Sequence, residues 1–456
     1  MATEHLSPLD LAFWRIESAA HPMHLGALAV FEAAPQAPGP VAGPGPGPEA
    51  DPGCDPALRA AELLTARCVA VPGLRRRIRD VLLPVGAAAW SPDADFDPAR
   101  HVFLVRTADP QVAAGTLMAR PLDRDRAPWE AHVLAGPDPS SFAVLFKFHH
   151  ALADGLGALA LAAELFDEGP PVRGPARPLP APAPTGSVLR NLPGILAARV
   201  QDVGQALEIG ASVARAGLPL GVPAALTAVP ARTGTRAVAG LALDLDDVNR
   251  IRKVAGGTVN DVLIALVAGA LRRWLVGRGG PEPVGPGPRA LVPVSRRRPG
   301  RAAKYGNRLS GYLLRLPIAE SDPLLRLDRV RTGMDRNKEV GPARGAGAVA
   351  LLADHVPPLG HRLGGPLVAQ AARLLFDILV SSVPLPSFTF SLGGSRVREV
   401  YPLAPLACGH SLAVAVSTYK GTVHYGLVAD AAAVPDLAAL AEALRAELDM
   451  LVREMS

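Results

Sequence analysis

Apolar and polar positions along this chain switch repeatedly between the period of a strand and the period of a helix. The run Phe142 to Phe148 alternates in the manner of a strand, and the Leu/Ala-rich stretch Leu156 to Phe166 that follows reads as a helix. Near the start, Ser7 can cap a helix, Pro8 suits its first turn, and Asp10 closes a capping-box-like pair ahead of Leu11, Phe13, Trp14 and Ile16. Leu25 to Phe31 reads as a strand, and helix-like and strand-like segments alternate from residue 57 to 166. Further on, the pattern predicts a strand over Ala237 to Leu245, a helix over Leu245 to Lys253, an apolar helix over Asn260 to Val276 and a strand over Asn307 to Leu316. A closing set of strand-like segments spans Ser387 to Leu392, Arg396 to Tyr401, Leu412 to Tyr419 and Thr422 to Val428. A helix over Pro435 to Arg453 follows them.

Two segments interrupt this alternation. Residues 35 to 56 are Ala/Pro/Gly-rich around Gly43-Pro44-Gly45-Pro46-Gly47-Pro48, which can form neither ladder nor helix. Residues 169 to 184 are Pro-rich and read as a connector. Between the connector and Arg236, Leu196, Val200, Val203 and Leu207 share one helical face while Arg199, Asp202, Gln205 and Glu208 occupy the other. That apolar face either packs on the body of the protein or rests peripherally on a membrane or lipid droplet. A chain of 456 residues exceeds one compact core. The expected organisation is a first lobe over 1–168, a connector over 169–235 and a second lobe over 236–456, of mixed α/β (α+β) class.

Composition narrows the setting. With 49% hydrophobic and 20% charged residues the chain is globular rather than disordered. Cys54, Cys68 and Cys408 form no C-x-x-C pair, which argues against a disulfide framework or a thiolate metal site and suits a reducing cytoplasm. Glu4 stands where a signal peptide would be basic, and the longest apolar run, Val262 to Leu271, is about half the ~20 residues of a spanning helix. A cytoplasmic protein without a signal peptide or transmembrane helix is expected. Arg75, Arg76, Arg77 and Arg79 form one basic cluster and Arg296, Arg297, Arg298 and Arg301 another. Either can meet phosphates, although a solvated surface is the plainer reading. Nucleic acid is not expected as a partner, because aromatic content is 4% and no binding motif accompanies the arginines.

The chemistry-bearing candidate is His149-His150-Ala151-Leu152-Ala153-Asp154-Gly155, which sets two imidazoles at a strand end just before a helix. A neutral imidazole there can take a proton from a hydroxyl or amine; two hydrogen-bonded structural histidines are the alternative. Asp154 can orient an imidazole or cap the following helix, and capping is favoured. Asn260 and Asp261 open the apolar helix as caps, or Asn260 donates to a developing oxyanion.

Three other patterns do not support a site. Gly409-His410-Ser411-Leu412-Ala413 resembles a hydrolase elbow, but no acid lies between Ser411 and the only later histidine, His424. Gly155-Leu156-Gly157-Ala158-Leu159-Ala160 and the similar run at 345–350 lack the strand context of a dinucleotide site. Leu392-Gly393-Gly394-Ser395 lacks the spacing of a carrier-protein attachment site.

Taken together, the motifs resemble the bacterial wax ester synthase/acyl-CoA:diacylglycerol acyltransferases, within the His-x-x-x-Asp acyltransferase superfamily. The resemblance rests on Leu6-Ser7-Pro8-Leu9-Asp10, Pro22-Met23-His24-Leu25-Gly26 and His149 to Gly155 in the first half. In the second half it rests on Asn260-Asp261, Val292-Pro293-Val294-Ser295, Gly306-Asn307-Arg308 and Gly426 to Asp430. It implies two chloramphenicol-acetyltransferase-like lobes, each a mixed sheet flanked by helices, with a tunnel between them. It further implies that His150 is the general base, His149 its neighbour in support, Asp154 mainly structural and Asn260 important for activity. Gly155, Trp129, Asp261 and Ser382 are then expected to contact substrate.

The implied reaction moves a long-chain acyl group from acyl-CoA to diacylglycerol or a fatty alcohol, with neither cofactor nor metal. The sequence departs from the family pattern at Ala127-Pro128-Trp129, which keeps only the Trp of a Pro-Leu-Trp element. It departs again at Ser381-Ser382-Val383-Pro384-Leu385-Pro386, where the family has Ser-Asn-Val-Pro-Gly-Pro. A condensation-type enzyme that takes its acyl group from a carrier protein, and a catalytically impaired lipid-binding homologue, are the alternatives.

Overall fold

A computed structural model describes residues 4–34, 55–168, 234–295, 307, 309–340, 358–360, 362, 376–386 and 388–455. The Gly/Pro run, the Pro-rich connector, the amphipathic stretch, the cluster Arg296 to Arg301 and the 345–350 pattern lie outside these residues.

Two six-stranded sheets dominate. The first runs β12 (Ser391–Leu392), β13 (Ser395–Leu403), β2 (His24–Glu32), β7 (Ser141–His149), β6 (Trp129–Ala135), β5 (Val102–Arg106). The second runs β10 (Leu309–Arg315), β9 (Arg289–Ser295), β11 (Ile378–Pro384), β14 (Leu412–Tyr419), β15 (Thr422–Asp430), β8 (Arg236–Asp244). Both are mixed: β5 is parallel to β6, and β11 is parallel to both β9 and β14. A small third sheet joins β1 (Glu4–His5), β4 (Ala88–Pro92) and β3 (Arg76–Asp80). The α/β class and the two-lobed arrangement agree with the sequence reading.

The helices are α1 (Pro8–Ile16), α2 (Pro56–Cys68), α3 (Pro110–Ala119), α4 (Gly155–Ala163), α5 (Leu245–Ala255), α6 (Val259–Gly277), α7 (Pro323–Val340) and α8 (Leu437–Glu454). Ser7 caps α1 as its sequence indicates, its Oγ accepting the Asp10 N–H at 3.2 Å. Helix α6 is apolar because it is buried against α7, α8 and one face of the second sheet. No single helix among the described residues is long and apolar enough to cross a membrane.

One crossing element ignores the boundary at residue 236. Strand β13 pairs antiparallel with β2, so residues from the second half of the chain extend the first sheet. The glycines of Leu392-Gly393-Gly394-Ser395, both at positive φ, form the turn between β12 and β13, and their N–H groups donate to the Asp167 carboxylate at 3.0 and 2.9 Å. A shared apolar core follows from this exchange. Leu28, Leu117 and Leu145 from the first half pack with Tyr401, Leu403 and Val428 from the second. Strand β7 is consequently buried on both faces, by helices on one side and by the other lobe on the opposite side.

The basic cluster at 75–79 is largely spent within the small sheet. Arg76 pairs with Glu4 at 2.7 Å and Arg77 with the buried Asp93 at 3.6 Å, so these two guanidinium groups are engaged by the protein's own carboxylates rather than forming a solvated surface.

Candidate active site

Strand β7 ends on the histidine pair, and the turn beyond it is fixed by main-chain bonds. The His149 N–H donates to the Pro128 carbonyl at 2.9 Å, the His150 N–H to the Met23 carbonyl at 2.8 Å, and the Leu152 N–H to the His149 carbonyl at 2.8 Å. Asp154 closes the turn from below: its Oδ1 accepts the Gly157 N–H at 2.9 Å, capping α4. The aspartate of the motif thus builds the loop, in keeping with the structural role given to it by the sequence.

The two imidazoles face different surroundings. His149 is buried, and its Nδ1 accepts the Ala151 N–H at 3.0 Å, which leaves the ring proton on Nε2. That Nε2 lies 3.5 Å from the Glu17 carboxylate, while Trp14 meets the ring edge-on at 4.9 Å. Glu17 also accepts the Met23 N–H at 3.1 Å and pairs with Arg124 at 3.4 Å. Burial raises the Glu17 pKa, but the His149 and Met23 hydrogen bonds and the Arg124 charge outweigh it and hold the carboxyl below its usual range. His149 does not line the central cavity and serves as part of the wall behind the loop.

His150 does line that cavity, with its ring stacked on Phe13 at 4.0 Å between centroids and 6° between planes. Burial is the largest influence on it and lowers its pKa to about 4, against the opposing pull of nearby acceptors. The imidazole is therefore unprotonated at neutral pH, the form a general base requires.

The cavity has a volume of about 680 Å³ and lies between the lobes. Its lining draws Phe13, Leu25 and Phe146 from the first half of the chain and Leu291, Leu379 and Leu403 from the second. Polar groups on this apolar surface are sparse, among them His150, Asn260, Ser381 and Ser382. Asn260 stands in the first turn of α6, behind the Thr258 cap. Gly155 also lines the cavity; a Cβ there would meet the Val383 Cγ2 at 3.0 Å, so the two halves approach closely at this point.

Two expected substrate contacts stand elsewhere. Trp129 is 1% exposed in the core of the first lobe, its indole N–H donating to the Leu74 carbonyl at 2.7 Å and its ring stacked on His101. Asp261 completes a capping box, its Oδ2 accepting the Thr258 N–H and hydroxyl, both at 2.8 Å. Neither lines the cavity, because each side chain is taken up by local structure.

Several neighbours of the histidine pair are not indicated as such by the sequence. Phe13, Glu17 and Asn307 come to His149 and His150 from distant parts of the chain. Asn307 lies in one of the motifs behind the resemblance, but nothing local in the sequence pairs it with His150.

Two family models cover most of the chain: the wax ester synthase/diacylglycerol acyltransferase catalytic domain matches residues 6–263, and the C-terminal domain of the same family matches residues 305–452. The chain belongs to the wax ester synthase/diacylglycerol acyltransferase family. A probable diacylglycerol O-acyltransferase of Mycobacterium tuberculosis, tgs2, is 31% identical over 469 residues, covering 97% of each chain. A second from the same organism, tgs1, is 30% identical over 83% of this chain and 84% of its own.

Among solved structures, a wax ester synthase/diacylglycerol acyltransferase from Marinobacter aquaeolei VT8 superposes with a TM-score of 0.69 over 99% of both chains, at 22% identity. The first condensation domain of the calcium-dependent antibiotic synthetase shares the fold at a TM-score of 0.57 and 16% identity, over 99% of this chain and 97% of its own. Family membership bears out the resemblance read from the motifs, and with it the reading of this chain as an acyltransferase.

Proposed function

We propose that the protein transfers a long-chain acyl group directly from acyl-CoA to the hydroxyl of diacylglycerol or of a fatty alcohol. His150 removes the hydroxyl proton through the ring edge that borders the cavity, and the oxygen attacks the thioester carbonyl. The oxyanion of the tetrahedral intermediate is stabilised by donors that include the Asn260 side chain. Collapse breaks the C–S bond, and the proton held on His150 passes to the departing CoA sulfur. No acyl-enzyme is formed, and the scheme uses neither a metal nor a further cofactor.

The observation that carries this reading is a neutral imidazole opening onto an apolar cavity between two lobes. Its volume, about 680 Å³, lies within the range of lipid- and drug-sized ligand sites. The reading is tested by thiol release from palmitoyl-CoA, followed with a diacylglycerol, with a fatty alcohol and with no acceptor. Release that depends on either acceptor supports it. Release indifferent to acceptor, or none except from a carrier-bound thioester, refutes it.

A lipid acceptor also brings the protein to a lipid surface. The β3–β4 connection supports such contact, because Leu82, Leu83 and Val85 are all exposed at its tip. Cosedimentation with anionic vesicles, reduced in a Leu82→Ser/Leu83→Ser variant, is the expected result; equal binding by both proteins would remove this tip from the contact.

A further inference from the structure

The loop carrying His150 is tied to the second half of the chain by Asn307, which precedes β10 and is 8% exposed. Its Nδ2 donates to two oxygens, the Asp10 carboxylate Oδ1 at 2.6 Å and the main-chain carbonyl of His150 at 2.5 Å. Its own backbone N–H donates to the same Asp10 oxygen at 2.9 Å. Since a carbonyl and a carboxylate oxygen act here as acceptors, the NH₂ end of the amide must face them, and the amide oxygen is turned the other way.

Besides the His149 Nε2 near Glu17, two further atoms in this corner matter for the base. The Oδ1 of Asn307 and the Nδ1 of His150 are both buried and make no hydrogen bond of good geometry among the described residues, although the His150 main-chain carbonyl and the Asn307 amide both lie near enough to the ring to favour a proton on it. Buried polar atoms without partners are rare enough to require a reason. Here their roles are complementary: an amide oxygen accepts, and the Nδ1 of a base whose Nε2 must stay bare carries the ring proton. They belong to residues already joined through the His150 carbonyl.

We propose that Asn307, clamped by Asp10, is a positioning residue for the base. Its amide oxygen receives the Nδ1 proton of His150 and leaves the Nε2 lone pair directed at the acceptor hydroxyl. The inference rests on the assignment of His150 as the base in the proposed function. The resting geometry is loose, as it commonly is before substrate tightens a catalytic hydrogen bond. Burial works against a proton on this ring, while the His150 carbonyl, which Asn307 binds, and the Asn307 amide itself both favour one. Asp10 acts one step further back: it is 3% exposed, and by holding both N–H groups of Asn307 it keeps the amide from flipping. Because Asp10 and His150 come from the first half of the chain and Asn307 from the second, the base is fully oriented only when the halves are docked.

The direct test is nitrogen NMR of ¹⁵N-histidine-labelled full-length protein, with the His150 signals assigned by their loss in His150→Ala. The expected resting state has Nδ1 protonated and Nε2 bare, and Asn307→Ala should give a mixture of tautomers. Wild-type His150 with its proton on Nε2, or an unchanged tautomer in Asn307→Ala, would overturn the proposal. Should Asn307→Ala fail to fold, Asp10→Asn, which loosens the clamp on the amide, is read in its place: a mixture of tautomers supports the proposal and an unchanged tautomer overturns it.

Kinetics supply the second arm. Asn307→Ala should lower kcat by about 10- to 100-fold, part of the about 10²- to 10⁴-fold contributed by a general base, with KM for acyl-CoA within about twofold. Asp10→Asn should show a smaller loss of the same kind. In a His150→Ala background Asn307→Ala should cost nothing further, whereas an independent structural defect would multiply the two losses and refute the positioning role. A wild-type protein with the expected tautomer but no acyl transfer would defeat the proposed reaction and leave the Asn307 contact standing.

Discussion

Replacing Phe13 by alanine removes the ring on which His150, the proposed base, is stacked. The imidazole of His150 and the Phe13 ring are within 6° of parallel at 4.0 Å, so the substitution frees one face of His150 without touching its hydrogen bonds. A stacked aromatic pair contributes about 0.5–1.5 kcal/mol beyond its buried area. Losing that much alignment in the transition state lowers kcat/KM by about 2- to 13-fold. A second effect is separable from the first. Burial is the main reason that His150 titrates at about 4, and water admitted beside the ring should move that value up toward the ordinary 6.5.

Only the unprotonated ring accepts a proton, so activity is lost as pH falls through its pKa. In the wild type about 97% of the base is still neutral at pH 5.5, against about 9% for an unperturbed histidine. Acceptor-dependent thiol release from palmitoyl-CoA should therefore be nearly flat from pH 7.5 to 5.5 in the wild type. In Phe13→Ala it should fall away within that range. An equal rate and an identical acid limb in the two proteins would refute the role given to Phe13 and to burial.

Other outcomes follow from the same geometry. Glu17→Ala leaves the buried Met23 N–H without its acceptor, which should cost about 1–3 kcal/mol in chemical denaturation and reduce kcat as His149 loses its support. Trp129→Phe strands the Leu74 carbonyl and should lower stability by about 1–3 kcal/mol while both KM values stay within about twofold. A rise in acceptor KM alone would restore Trp129 to the substrate site. Gly155→Ala places a Cβ 3.0 Å from the Val383 Cγ2 and should cost about 1 kcal/mol, a loss that Val383→Ala relieves in the double variant; strictly additive effects would contradict the contact.

Burial lowers the pKa of His24 to about 3 and of His150 and His424 to about 4, so these rings favour the folded state while neutral. That contribution is complete above about pH 6.5 and lost as pH falls toward 4, and the thermal midpoint should drop across that interval. A midpoint constant from pH 7 to 4.5 would contradict it.

Local signals proved readable where local chemistry decides. Ser7, Asp154 and the Thr258 box cap their helices because capping depends on neighbours within three residues, and the apolar period of α6 fixes its extent to within one residue at either end. The segment Arg396 to Tyr401 was recognisable as a strand, but nothing in it indicated that β13 would pair with β2 across the boundary between the halves. Strand β11 was missed, since its Ser381-Ser382 pair interrupts the apolar run. Both serines line the cavity, which β11 borders.

The site divides along the same line. His150 and Asp154 are legible from spacing, whereas Phe13, Glu17 and Asn307 reach the loop by tertiary packing alone. Trp129 and Asp261 stand off the cavity, since a motif position does not reveal which way a side chain turns.

The most direct test of the account is the His150→Ala variant, with its fold checked by circular dichroism and thermal unfolding and its ester formation measured from palmitoyl-CoA and diacylglycerol or a fatty alcohol. A folded protein whose turnover falls by about 10²-fold or more is the expected result. Near-normal ester formation by a folded His150→Ala protein would contradict it.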